Sequence, residues 1–365
     1  MIRAVLVDDE PPARVRMRQL LDAAGGVSVV GEAGSAVEAR DLIRDTRPDV
    51  VFLDVEMPEV RGTALAASLP EPRPFIVFAT AFDHYALDAI ALDATDYLLK
   101  PVSRTKLAAT LERVRSRMAK QSDLERDVKA ASAVQSHMWP GSLPAIAGFD
   151  CAAASLPARG VGGDFYDAFL ITADTWALLL GDASGKGMAA GLVASAVQAR
   201  VHSAAQLTRF SPEALIASVD RDLYATTDIA RYATAIYASL DAASRAITIV
   251  NAGHPPALLL NPNGVDVTQI GATGPALGLI EAGAFTAQTV PLAPGSVFVA
   301  YTDGVSEALD AQDEEFGEAG IAALLVEHRA LPAGALCARI LDTVRAHRGT
   351  RQDQDDATAL VVKAV

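Results

Sequence analysis

The sequence predicts an α/β protein of two unlike domains: an N-terminal doubly wound, five-stranded parallel sheet and a C-terminal α+β domain, joined by a helical linker. Three observations lead there. At 365 residues the chain exceeds what one hydrophobic core usually organises. Up to about residue 118, short β-branched runs alternate with amphipathic stretches, the signature of βα units in a parallel sheet. Further on, apolar runs follow one another closely, as in hairpin-connected strands. The expected boundaries are 1–118, 119–140 for the linker, and 141–365.

In the first domain, Ala4 to Val7, Val27 to Gly31, Val50 to Leu53, Phe75 to Ala79 and Asp96 to Leu99 read as strands, with helical patterns between them. Active residues of such a sheet belong at the carboxyl ends of its strands. Ser103 to Met138 then reads helical throughout. Leu107, Leu111, Val114 and Met118 form a heptad stripe, and Leu124, Val128, Ala131 and Met138 form a second stripe displaced by one residue, with the break near Gln121. Two readings fit this pattern: a final domain helix running into an ordinary linker, or a stalk through which two chains dimerise. Trp139-Pro140-Gly141 ends the helix, since proline disfavours helix in the residue before it. In the second domain, strands are expected at Trp176 to Leu180, Tyr232 to Leu240, Ala246 to Asn251, Pro256 to Leu260, Ser296 to Tyr301 and Ala357 to Lys363. Helices are expected at Met188 to Ala205, Pro212 to Thr226 and Ala335 to His347.

Composition removes several function classes. With 51% hydrophobic and 21% charged residues the chain has material for packed cores, which argues against overall disorder. A formal charge of −14 repels polyphosphate, and no Lys/Arg block with interleaved aromatics offsets it, so no nucleic-acid partner is expected. Cys151 and Cys337 lack the spacing of a disulfide framework or a zinc site. The chain enters its first strand directly, without a basic and apolar leader, and no apolar run is long enough to span a bilayer. A cytoplasmic protein without membrane contact is expected.

Asp8-Asp9 follows the first strand, Asp54 the third, Thr80 the fourth and Lys100-Pro101 the fifth, so these polar residues converge on one sheet edge. Clustered carboxylates need a cation. Asp9 and Asp54 with the backbone carbonyl of Glu56 suit Mg²⁺, which takes a few oxygen ligands and keeps waters. The metal would offset charge as Asp54 attacks a phosphoryl donor. Val7-Asp8-Asp9-Glu10, Leu53-Asp54-Val55-Glu56-Met57-Pro58, Ala79-Thr80-Ala81 and Tyr97-Leu98-Leu99-Lys100-Pro101 together resemble a response-regulator receiver domain of flavodoxin-like fold. The resemblance implies Asp54 as phospho-acceptor, Asp9 with Asp8 as metal ligands, Thr80 and Lys100 on the phosphoryl oxygens, and Tyr97 as an aromatic switch. It also implies a cognate histidine kinase or a small phosphodonor.

The second domain places aspartates at glycine-bounded strand ends: Gly162-Gly163-Asp164-Phe165-Tyr166-Asp167, Gly181-Asp182-Ala183-Ser184-Gly185-Lys186-Gly187, Thr302-Asp303-Gly304 and Asp355-Asp356-Ala357-Thr358. Any one alone reads as a turn. Together, hard carboxylate oxygens without His or Cys partners favour two Mg²⁺ or Mn²⁺ ions, which suit phosphoester hydrolysis by a metal-activated water. A Ser/His/Asp triad built on Ser184 and His254 is not assigned; His254 is read as structural. Gly185-Lys186-Gly187 either cradles a phosphate or serves close packing, and packing is favoured. Arg159 is a candidate for the substrate phosphate, although loop arginines are commonplace.

These segments, with Ala133-Val134-Gln135, Pro157-Ala158-Arg159, Asn251-Ala252-Gly253-His254-Pro255-Pro256 and Leu277-Gly278-Leu279, resemble the type 2C (PPM) metal-dependent protein phosphatases of the SpoIIE/RsbU-like branch. The resemblance implies a PPM-type β-sandwich flanked by helices. It implies Asp182 as bridging ligand with the Ala183 carbonyl, Asp303 and Asp355 completing the set, and Asp164 in the outer metal and water shell. Asp355 is chosen from the family's Asp-Asx-x-Thr element, with Asp356 as the neighbour able to substitute. The substrate implied is a phosphorylated STAS-type anti-sigma-factor antagonist. The competing function is a pseudophosphatase adaptor that binds a sigma-factor regulator according to its phosphorylation.

Overall fold

Residues 1–81, 92–157, 160–206, 211–228, 230–351 and 355–365 are described in a computed structural model. They form two units, Met1–Glu125 and Arg126–Val365.

In the first unit, β1 (Ile2–Val7), β2 (Val27–Ala33), β3 (Val50–Leu53), β4 (Phe75–Thr80) and β5 (Asp96–Leu99) form a wholly parallel sheet in the order β2-β1-β3-β4-β5. A parallel sheet must be covered on both faces, and the side chains of β1 divide accordingly. Ala4 and Leu6 pack with Met17, Leu21, Leu107 and Leu111 on one side. Val5 and Val7 pack with Ile43 and Leu65 on the other. Helices α1 (Pro11–Ala24), α2 (Ala36–Thr46) and α3 (Gly62–Ser68) supply those contacts together with the start of α4 (Arg104–Met138). Ser35 caps α2, its hydroxyl accepting from the Glu38 N–H at 3.3 Å.

Helix α4 ends at Met138, directly before Trp139-Pro140. The expected first stripe is buried at Leu107, Leu111 and Val114. The second stripe is divided. Leu124 and Met138 are 64% and 41% exposed, and the buried residue of this stretch is Gln135. The inward face is Val128, Ala131 and Gln135; a polar side chain takes its third position because two backbone groups await it there.

The second unit holds two antiparallel sheets. One has the order β13-β10-β9-β8-β7, from β7 (Asp164–Leu170), β8 (Thr175–Ala183), β9 (Ala233–Asp241), β10 (Ala246–Ala252) and β13 (Gln288–Pro291). The other has the order β12-β11-β14-β15-β6, from β6 (Phe149–Leu156), β11 (Ala257–Leu260), β12 (Val267–Ile270), β14 (Val297–Tyr301) and β15 (Ala357–Ala364). Leu178, Leu180 and Ile236 of one sheet meet Phe298, Leu360 and Val362 of the other. Outside the first sheet lie α5 (Met188–Gln206) and α6 (Pro212–Thr226). Outside the second lie α8 (Gly317–His328) and α9 (Ala333–Arg348), with the short α7 (Asp303–Ser306) after β14. The expected sandwich flanked by helices is the observed one. Among the described residues, no helix is long and apolar enough to cross a membrane.

Candidate functional site

The parallel register of β1, β3, β4 and β5 brings their carboxyl ends to one sheet edge. There, ligand oxygens of Asp8, Asp9 and Asp54 all lie within 4.8 Å of one another. Lys100 Nζ sits 2.6 Å from Asp8 Oδ2 and 2.5 Å from Asp54 Oδ2. The Glu10 N–H donates to Asp8 Oδ1 and the Glu56 N–H to Asp54 Oδ1, at 3.0 and 3.2 Å. Burial pushes the Asp8 carboxyl up, against the opposing pull of Lys100. Burial works to lower Lys100, but its bonds to Asp54 and Asp8 outweigh that and raise it, so the ammonium stays charged. The Thr80 hydroxyl is fully buried and, among the described residues, has no hydrogen-bond partner. A buried donor left unmade is costly, which marks a place where a ligand oxygen fits. Tyr97 is half-buried in β5. Gly62 is required sterically: a Cβ there would stand 1.9 Å from the Asp54 carbonyl oxygen.

In the second unit Asp164 and Asp182 are directly opposite each other in the β7–β8 register. Alternation turns both toward the space between the sheets, on the side of Tyr166, Leu178 and Leu180. Asp164 is buried, and its Oδ2 accepts from Thr302 Oγ at 2.8 Å and Thr358 Oγ at 2.5 Å. Those threonines tie the ends of β14 and β15 together, Thr302 N–H donating to the Thr358 carbonyl at 3.0 Å. Asp303 opens α7 and Asp355-Asp356 lead into β15, so the second sheet delivers its acidic residues to the same end of the sandwich.

Burial raises the pKa of Asp182, and the charges of Asp164, Asp303, Asp355 and Asp356 raise it further. Burial likewise raises Asp164, despite its two threonine donors, and Asp303. Carboxyls held this high are short of positive charge, and their hard oxygens fit Mg²⁺ or Mn²⁺. Their spacing is wider than in the receiver unit. Among the described residues, only the Asp8, Asp9 and Asp54 group brings three acidic or His/Cys ligand atoms within 4.8 Å.

Close approach explains the Gly162-Gly163 pair. A Cβ at Gly162 would lie 2.0 Å from Asp356 Oδ2, and one at Gly163 would lie 2.5 Å from Asp182 Oδ1 and 2.6 Å from the Ala183 carbonyl oxygen. Gly185 and Gly187 differ from expectation: nothing lies within 4 Å of a Cβ at either, and both hold positive φ, +93° and +71°. Conformation demands glycine there, not packing. Between them Lys186 pairs with Asp355 Oδ2 at 3.0 Å. Asp356 is buried beside Gly162, while the Asp355 side chain is 51% exposed. Arg348, buried on α9, donates to the carbonyls of Asp355, at 3.0 Å, and of Gly304.

Other candidates lie apart. Asp167 is on the opposite face of β7, its Oδ2 3.4 Å from His202 Nδ1. His254 is buried, with Nδ1 2.8 Å from Thr234 Oγ and Nε2 2.9 Å from the Tyr301 carbonyl oxygen; burial pushes its pKa down to about 3. A neutral ring that accepts from Thr234 and donates to Tyr301 is the structural role expected of it. Ser184 Oγ donates to the Ala230 carbonyl at 3.2 Å and accepts from the Tyr232 N–H at 3.0 Å. Arg159 lies outside the described residues. Sequence reasoning assigned no role to Thr302, Thr358, Arg348 or Gln135. The threonines stand within the quoted motifs, yet their acceptor is 138 and 194 residues away.

Comparison with known proteins adds the following. Residues 4–112 match the response regulator receiver domain family and residues 172–365 match the family of stage II sporulation protein E (SpoIIE). Among curated relatives, the transcriptional regulatory protein BtsR of Salmonella typhi is 48% identical over 122 residues, 33% of this chain and 51% of that protein. BtsR of Escherichia coli is 46% identical over the same length. The chain spans about half the length of the curated relatives it matches. Among solved structures, the SiaA-PP2C domain of Pseudomonas aeruginosa superposes with a TM-score of 0.59 at 22% identity, over 67% of this chain and 98% of that one. The RsbU and RsbW domains of a Mycobacterium tuberculosis protein give 0.54 at 28%, over 61% and 62%. The phosphatase domain of SpoIIE from Bacillus subtilis, with a fragment of its regulatory domain, gives 0.52 at 18%, over 61% and 64%; at such identity the likeness is one of fold.

Proposed function

We propose, since the chain belongs to the SpoIIE family and carries a receiver domain ahead of the matched region, that it is a response regulator in which phosphorylation of Asp54 controls a metal-dependent serine/threonine protein phosphatase. The observation that carries the reading is the cross-strand pair of the buried Asp164 and the half-buried Asp182, both at raised pKa, beside Asp303 and the Asp355-Asp356 segment. Burying like charges is destabilising unless a cation joins them, so the arrangement makes physical sense as a metal centre.

In the receiver, Asp54 is the phospho-acceptor: its carboxylate oxygen forms a bond to phosphorus as the bond from phosphorus to the donor, a cognate histidine kinase or a small phosphodonor, breaks. Asp8, Asp9, Asp54 and the Glu56 carbonyl are the Mg²⁺ ligands. Lys100 and the Thr80 hydroxyl, which has no hydrogen-bond partner among the described residues, bind phosphoryl oxygens, and Tyr97 is the switch residue. In the phosphatase, Asp182, the Ala183 carbonyl, Asp303 and Asp355 hold two Mn²⁺ or Mg²⁺, with Asp164 in the outer shell. Ions bound there would supply an activated water and neutralise charge on the phosphoryl group. Thr302 and Thr358 hold the Asp164 carboxylate in place, and Arg348 holds the backbone at Gly304 and Asp355. Arg159 is the candidate for gripping the substrate phosphate. Domain limits of 1–118, 119–140 and 141–365 go with this assignment.

The likeness to SpoIIE and RsbU supports a phosphorylated STAS-type anti-sigma-factor antagonist as substrate, met in the cytoplasm. Leu124 and Val134, 64% and 65% exposed on α4, support a homodimer formed through the linker helix. The adaptor alternative is disfavoured, because a protein without metal chemistry gains nothing from burying this acidic set. Hydrolysis of p-nitrophenyl phosphate by the full chain, with Mn²⁺, with Mg²⁺ and with a chelator, tests the choice. Metal-dependent turnover is expected; a folded protein that turns over nothing in either metal would favour the adaptor.

A further inference from the structure

Gln135 is 7% exposed near the end of α4, where an apolar residue would be unremarkable. Its Nε2 donates to the Gly162 carbonyl at 2.8 Å and its Oε1 accepts from the Gly162 N–H at 3.1 Å. One side-chain amide thus satisfies both backbone groups of a residue that belongs to no strand, as a neighbouring strand would. One turn earlier, Ser132 Oγ donates to the Gly160 carbonyl at 2.7 Å. Val128, a turn before that, fills the space beside Gly160, where a Cβ would lie 2.9 Å from its Cγ1. A single helix face therefore tracks residues 160–162.

That loop bears directly on the acidic site. Gly162 lies against the Asp356 carboxylate, and Gly163 against the Asp182 carboxylate and the Ala183 carbonyl, with no room for even a methyl group. The Gly163 carbonyl also accepts from the Ala183 N–H at 3.1 Å, and the next residue is Asp164. Contacts this tight pass a displacement on, because a close-packed interior has no slack to absorb it. We propose that Gln135 is a positioning residue: by clamping the Gly162 peptide it sets the spacing of Asp164, Asp182 and the Asp355-Asp356 segment, so that metal affinity at this centre is governed by the linker helix. The inference rests on the phosphatase reading above.

Two variants separate this from a purely structural role. Gln135→Glu keeps the shape and the acceptor but loses the donor to Gly162, and Gln135→Met keeps the volume but loses both bonds. Mn²⁺ binding is titrated calorimetrically on the full chain in an Asp9→Asn background, which removes the receiver's ion from the signal. Turnover of p-nitrophenyl phosphate is followed against Mn²⁺ concentration in parallel. Both variants are expected to bind Mn²⁺ at least about tenfold more weakly and to need correspondingly more for half-activation, the usual effect of losing a residue that orients metal ligands, with kcat at saturating Mn²⁺ within about threefold of the parent. A lowered Tm with unchanged Mn²⁺ affinity would overturn the proposal and leave Gln135 a structural residue. If both variants unfold, Ser132→Ala reads the same face: about threefold weaker Mn²⁺ binding is expected from one lost hydrogen bond, and unchanged binding would overturn the proposal. A parent that neither binds Mn²⁺ in the Asp9→Asn background nor turns over substrate would instead overturn the phosphatase reading itself.

Discussion

In the receiver unit Lys100 stands between Asp8 and Asp54, 2.6 and 2.5 Å from their carboxylates. In the second unit Asp164 faces Asp182 across β7 and β8, and it is threonine hydroxyls rather than an ammonium that bond Asp164. Both clusters sit at strand ends, but the first holds an ammonium between its buried carboxylates, whereas in the second Lys186 pairs with the half-exposed Asp355. The compact trio suits one ion and a transferred phosphoryl group. The wider set is drawn from both sheets of a sandwich.

The sharpest break of this comparison is all-or-none. A small phosphodonor with Mg²⁺ is expected to label the parent in a base-labile manner and to leave Asp54→Asn unlabelled. Equal labelling of that variant would remove the receiver cluster from the account.

Next in size, Asp182→Asn should lower kcat by at least about a hundredfold, since one ligand lost disrupts both the activated water and charge neutralisation. Folding should survive, because removing one of several repelling charges relieves the metal-free site. Near-parental turnover with unchanged metal content would show that the acidic set at the sandwich end is not the centre.

The contrast in how burial is offset extends to His254, whose ring is buried with no counter-charge beside it among the described residues. Its folded value of about 3 lies below the ordinary 6.5, so on acidification the unfolded chain takes up the proton first. This contribution to stability is complete above pH 6.5 and is lost as the pH falls toward 3. Roughly 2 kcal/mol should disappear by about pH 5. Urea unfolding of the parent and of His254→Asn across that range checks it: the variant should show a shallower pH dependence, and parallel curves would dismiss His254 as the cause.

The smallest effect concerns the ion pair of Lys186 with Asp355, whose side chains are 66% and 51% exposed. Lys186→Ala should change stability by less than about 1 kcal/mol, as exposed pairs do. A loss beyond about 2 kcal/mol in urea unfolding would mean that the second cluster does hold an internal cation that matters, and the contrast with Lys100 would weaken.

Much of this was legible in the chain itself. The strands of the first unit follow from β-branched runs, and the polar residues directly after them, Asp8, Asp54 and Lys100, meet because parallel strands end together. In the second unit β8, β9, β10, β11, β14 and β15 also announce themselves by apolar runs. β6, reading Phe-Asp-Cys-Ala-Ala-Ala-Ser-Leu, does not: alanine favours helix, and the segment is a strand because β15 pairs with it over eight residues. β12 and β13 are short, partly exposed strands whose pairing comes from β11 and β10.

The sequence by itself determined the two fold classes, the acidic strand ends and the hard-oxygen chemistry they imply, since periodicity and residue type act locally. Tertiary structure decided which groups meet across the chain: the Thr302 and Thr358 hydroxyls on Asp164, the Asp356 carboxylate against Gly162, and Gln135 rather than Met138 turned inward on α4. A hydrogen bond across more than a hundred residues leaves no periodic trace, and the protonation of a carboxyl depends on burial that exists only once the sheets have packed.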